Sequence, residues 1–82
     1  MQRLARTTKR TPLTSRETLS LNMIRLRRDR GWSQEWLGAE AGLHRTFIAH
    51  LERQARNPSL DSIEKIATAF GIQVWEILRP PA

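Results

Sequence analysis

Residues 31–53 read GWSQEWLGAEAGLHRTFIAHLER, and this stretch decides the fold. Ser33 supplies the side-chain oxygen that helix N-termini prefer, and Glu35 falls in the first turn, where a carboxylate meets the positive end of the helix dipole. Gly42 stops this helix after Ala41, because glycine tolerates the left-handed backbone that ends helices. A second short helix is predicted from about His44 to Arg53, with Ile48 and Leu51 three residues apart and facing inward.

Outward from this pair the chain continues as helix. Leu19, Met23 and Leu26 form one apolar stripe, predicting a helix over residues 16–30 that Gly31 ends. After Gln54-Ala55-Arg56-Asn57, Pro58 blocks helix continuation. Ser59 caps a fourth helix with Asp61 in its first turn, and Leu60, Ile63, Ile66, Ala67 and Phe70 share the spacing of a buried face. Gly71 closes it. A short fifth helix is predicted over residues 73–78, before Pro80-Pro81. No strand pattern occurs, so the expected fold class is all-α with five helices.

The net charge of +6 is unevenly placed. Residues 1–16 hold Arg3, Arg6, Lys9, Arg10 and Arg16 and no acid, whereas nine basic and eight acidic residues share the rest. The expected organisation is a flexible basic arm over residues 1–14, a folded domain over 15–79 and a short disordered tail over 80–82. With 82 residues there is room for one domain. Cysteine is absent, which removes disulfides and cysteine-ligated zinc and suits a cytoplasmic location. No apolar run approaches the length of a membrane span, and the basic N-terminus lacks the apolar segment of a secretory signal. His44 and His50 lie six apart, about 240° around a helix, with no third ligand, so no metal or other cofactor is expected. No nucleophile–base pair, phosphate-cradling glycine loop or paired carboxylate suggests an enzyme, and no small-molecule ligand is expected.

Two short helices joined by a tight glycine-containing turn form the helix-turn-helix signature, which can hold its second helix out to enter the DNA major groove. The outer face of that helix carries Arg45, Thr46, Ala49 and His50. Arg45 has the planar fork that matches O6 and N7 of guanine. Thr46 offers a hydroxyl or a methyl to thymine, Ala49 permits close approach, and His50 can reach a base or a phosphate. These four are the candidate base contacts. A solvated polar helix face would look the same by composition.

The stretch 31–53, followed by Arg56-Asn57-Pro58-Ser59-Leu60, resembles the phage Cro/repressor (XRE-type) helix-turn-helix family. It is most similar to the short controller proteins of restriction-modification systems, and the likeness covers residues 19–78. The resemblance implies a five-helix, lambda-repressor-like domain that binds double-stranded DNA as a homodimer. It implies that Gln34 either bonds a phosphate or braces the helix that carries Arg45. Ser33, Gln34, His44, Arg53, Arg56 and Asn57 are the candidate backbone contacts, which position rather than specify. It further implies a partly buried ion pair between Arg27 and Glu52.

Three tryptophans stand out. Trp32 occupies a position usually aliphatic in the family and is read as core. Trp36 replaces the acidic half of a capping box and lies on an outer face. Trp75 is surplus apolar surface on a helix that already has Val74, Ile77 and Leu78. Controller-type relatives dimerise through their C-terminal helices, so Val74, Trp75 and Leu78 are the candidate dimer interface. The competing placement puts Trp75 against the first helix near Leu21 and Ile24. The expected function is a sequence-specific transcriptional regulator, a restriction-modification controller or prophage-type repressor. An antitoxin that binds a toxin as well as DNA is the alternative.

Overall fold

A computed structural model describes residues 12–81. Five helices follow one another: α1 (Ser15–Asp29), α2 (Gln34–Ala41), α3 (Arg45–Glu52), α4 (Leu60–Phe70) and α5 (Val74–Ile77). Among the described residues there is no strand. The boundaries fall where the capping residues put them. Ser33 Oγ accepts from the Trp36 N–H at 2.9 Å, and Ser59 Oγ accepts from the Ser62 N–H at 3.1 Å. Each satisfies an N–H that the helix itself leaves without a partner.

The basic arm lies almost wholly outside the described residues. Its last expected residue, Thr14, belongs to the folded unit instead. Thr14 and Glu17 form a reciprocal capping box, with Glu17 N–H donating to Thr14 Oγ1 and Thr14 N–H to Glu17 Oε1. Pro80 and Pro81 carry no regular secondary structure.

The core gathers Leu19 and Met23 of α1, Leu37 of α2, Ile48 and Leu51 of α3, Ile66 and Phe70 of α4, and Ile77 of α5. Trp32 packs against it, stacked on Phe70 at 5.5 Å between ring centroids. The Arg30 guanidinium lies over both rings and donates to the Phe70 carbonyl. It thereby closes the open edge of the core where α1 and α4 end.

Two expectations change. Leu60 does not share the buried face of α4. It is the first helical residue, it projects away from the core, and it is 65% exposed. The apolar stripe of α1 is also accompanied by buried polar groups. Ser20 Oγ donates to the Glu52 carbonyl, and the Asn22 amide donates to the Ile77 and Arg79 carbonyls at 2.7 and 2.9 Å. These bonds answer carbonyls at the C-terminal ends of α3 and α5 that have no helical partner. α1 is therefore a central strut holding both ends.

Candidate nucleic-acid interface

The α2–α3 unit is built on two glycines. Gly42 has φ of +71°, the left-handed conformation that reverses the chain directly after α2. Gly38 lies within α2, where a Cβ would sit 2.6 Å from the Leu43 carbonyl oxygen and 3.3 Å from the Arg45 nitrogen. Its missing side chain lets the turn fold back so closely that the Leu43 N–H reaches the Gly38 carbonyl at 2.8 Å. The angle between α2 and α3 is thus set by backbone contact. His44 then caps α3, its Nδ1 accepting from the Thr46 N–H at 3.0 Å.

The far end of α3 is held by Glu52. Its carboxylate takes Arg27 Nε at 2.8 Å, Arg27 Nη2 at 2.9 Å and Gln34 Nε2 at 2.9 Å. The two side chains of the ion pair are only 14% and 5% exposed. The hydrogen bond to Glu52, more than the carboxylate's field, holds the Arg27 guanidinium above its usual pKa, against the effect of its own burial. Arg27 Nη1 also donates to the Trp32 carbonyl. One carboxylate therefore locks α1, the start of α2 and the end of α3 into one frame.

Within that frame Ser33, Gln34, Glu35, Arg45, Thr46, Ala49, His50 and Arg53 line a single open groove. Arg45 and Thr46 are exposed; Ala49 and His50 are half-buried. The opposite side of α3 buries Ile48 and Leu51 completely or nearly so, so the helix separates cleanly into a core face and a polar face. At its end, the Arg56 guanidinium lies 5.9 Å from the centre of the Phe47 ring.

Residues 23–74 match the helix-turn-helix family. The chain belongs to that family, in its Cro/repressor (XRE) branch. A hypothetical transcription factor from Neisseria meningitidis serogroup B is 42% identical over 66 residues, covering 80% of this chain and 62% of that protein. Its crystal structure superposes with a TM-score of 0.78, over 80% of this chain and 74% of that one. Control protein C.BamHI of Bacillus amyloliquefaciens is 54% identical over 46 residues, covering 56% of this chain and 57% of that protein. The chain thus spans about three fifths of the length of these curated relatives. The restriction-modification controller protein C.Esp1396I, solved as a tetramer in complex with its natural 35 base-pair operator, is 27% identical with a TM-score of 0.71. It covers 82% of this chain and 92% of that one.

The helix-turn-helix brings together most of the residues singled out in the sequence. Arg45, Thr46, Ala49 and His50 share the groove with Ser33, Gln34 and Arg53. The Arg27–Glu52 pair is present and bidentate. Of the two roles open for Gln34, its amide performs the bracing one, through Glu52. His44, Arg56 and Asn57 lie outside the groove. His44 has one ring nitrogen committed to its cap, and Asn57 lines an apolar cleft with Leu19, Ile63 and Leu78. Gly38 was not singled out, although a glycine inside a short helix is itself a signal of close backbone approach. On α5, Trp75 is 60% exposed with Arg79 stacked on it, so it is not buried against α1. Val74 and Leu78 are half-buried and pack against the core. Among the described residues no helix is long and apolar enough to cross a membrane.

Proposed function

We propose that this protein is a sequence-specific duplex-DNA-binding transcriptional regulator, acting as a homodimer on a two-fold operator in the manner of a restriction-modification controller or phage repressor. One observation carries the reading. The polar face of α3 and the start of α2 line one groove, on a frame that Glu52 locks from behind. A helix fits the DNA major groove, about 12 Å wide, and presents one face to base edges. Arg45 and Thr46, at the exposed start of α3, are assigned to the bases, as is usual for recognition helices. Ala49 lets the helix approach, and His50 takes the deeper contact. Ser33, His44, Arg53, Arg56 and Asn57 are assigned to the sugar-phosphate backbone, helped by the first N–H groups of α2, while Gln34 braces α3 through Glu52.

A homodimer follows from the need to double a small contact surface, and exposed Trp75 with the open edges of Val74 and Leu78 offers a self-complementary patch. The relatives named as a transcription factor, a control protein and an operator-bound controller support the regulator reading over an antitoxin. Selection of binding sites from random duplex, followed by titration of the selected site and a scrambled one, tests it. The selected site should be two-fold symmetric and bind at least about 10³ times more tightly at physiological salt. Equal affinity for the two duplexes would remove the reading.

A further inference from the structure

Trp75 and the surface beside it have opposite shapes. The indole projects, 60% exposed, with only the Arg79 guanidinium stacked on it. Three residues on, Leu78 forms one wall of a cleft whose other apolar walls are Leu19, Pro58 and Ile63, and to which Ser15 and Asn57 add a hydroxyl and an amide. Arg16 also lines it, with its guanidinium 3.5 Å from the Gln54 carbonyl. The cleft encloses about 180 Å³. Small-molecule sites begin at about 300 Å³, whereas an apolar cavity of about 150 Å³ takes a benzene ring. The space thus suits one aromatic side chain. The hydroxyl and the amide can accept from an indole N–H, the polar handle that a buried tryptophan needs to satisfy. Trp75 does not line the cleft of its own protomer. Positions 75 and 78 point about 60° apart on a helix, so the ring stands beside the hollow.

We propose that this cleft is the seat of Trp75 from a second copy of the chain. The inference rests on the homodimer proposed above and names the contact that makes it. A two-fold axis passing between a projection and the hollow beside it sends each projection into the other protomer's hollow, so the contact forms twice. Leu78 belongs both to the cleft and to the α5 patch, which makes the two surfaces continuous. A tryptophan filling a fitted, desolvated pocket is the commonest kind of interface anchor. The seat also has a bearing on DNA. Pro58, one of its walls, directly follows Arg56 and Asn57, so the incoming ring braces the segment assigned to the sugar-phosphate backbone.

The test measures dimer dissociation by sedimentation for the wild type, Trp75→Ala, Ile63→Ala and the double variant, with helicity checked for each. Trp75→Ala should weaken the dimer about thirty-fold or more. With the partner's ring resting on Ile63, the double variant should lose less than the product of the single losses. The difference should be at least about five-fold, because each dimer holds two such contacts. Losses that simply multiply, or a Trp75→Ala dimer as tight as the wild type, overturn the proposal. A mixing experiment decides the matter if Ile63→Ala unfolds. Ser15→Trp, at an exposed position, offers the cleft an indole from its own chain, and its homodimer should be weakened as that of Trp75→Ala is. Mixed, with one variant fluorescently labelled, the two should form a heterodimer tighter than either homodimer, because one intact Trp75 meets one open cleft. No gain on mixing overturns the proposal, since Trp75 then meets some other part of its partner. These failures leave the homodimer standing, whereas a wild type that is monomeric at every concentration removes both.

Discussion

Replacing Glu52 by glutamine keeps the side chain's shape and deletes its charge. The carboxylate is 5% exposed and takes two bonds from Arg27 and one from Gln34. The change strands a guanidinium that is itself only 14% exposed. Breaking a buried ion pair by removing one partner costs about 3–5 kcal/mol. Arg27 keeps its bond to the Trp32 carbonyl, which points to the lower end, about 3 kcal/mol. A small domain loses about 1 kcal/mol of stability per molar urea, so the unfolding midpoint should fall by about 3 M. The assay is urea unfolding followed by tryptophan fluorescence, since Trp32 is stacked in the core, at fixed protomer concentration. Adding Arg27→Met removes the stranded cation and should restore at least half of the loss. A midpoint within about 0.5 M of the wild type would refute the reasoning, given that m-value. So would a double variant no more stable than Glu52→Gln alone.

Arg45→Ala should cost roughly 1–3 kcal/mol on the selected site and flatten the preference at one base pair per half-site, measured by titrating all four bases there. Gly38→Val should destabilise the domain by about 1–3 kcal/mol in thermal melts, because the new side chain begins 2.6 Å from a backbone oxygen that only a rigid-body shift of the turn can move. Trp75→Glu should convert the dimer to a helical monomer in sedimentation at micromolar concentration. It should lower operator affinity steeply although Trp75 faces no groove residue, and a persistent dimer would place the interface elsewhere.

The parts legible in the sequence are those governed by local chemistry. Ser33, Ser59, Gly42 and Gly71 mark helix ends because capping depends on a residue and its near neighbours alone. The polar face of α3 was readable because Ile48 and Leu51 fix which side is inside. What escaped depends on partners distant in the chain. Ser20 and Asn22 look like solvated helix residues until the carbonyl ends of α3 and α5 are set opposite them. Leu60 matched the apolar spacing of α4, yet at the helix start nothing of the core stands over it. Gln34 could be narrowed only to two roles, because the choice required knowing where the Glu52 carboxylate sits. Trp75 against Leu21 and Ile24 was a question of orientation, and on α5 it is Val74, Ile77 and Leu78 that turn toward the core.

The strut formed by α1 has a geometric consequence for the proposed dimer. Ser20 grips the end of α3, and Asn22, two residues on, grips the end of the helix bearing Trp75. No flexible joint separates these two attachments, since both are side chains of one continuous helix. A dimer joined through α5 would therefore behave as a rigid caliper. Adding one base pair to the operator centre rotates one half-site by about 35°, given 10–10.5 base pairs per turn. Between these two attachments there is no hinge to absorb that rotation, so the strain would fall on the DNA or the complex would release one half-site. Spacer length would thus be discriminated as sharply as base identity, by a helix that touches neither.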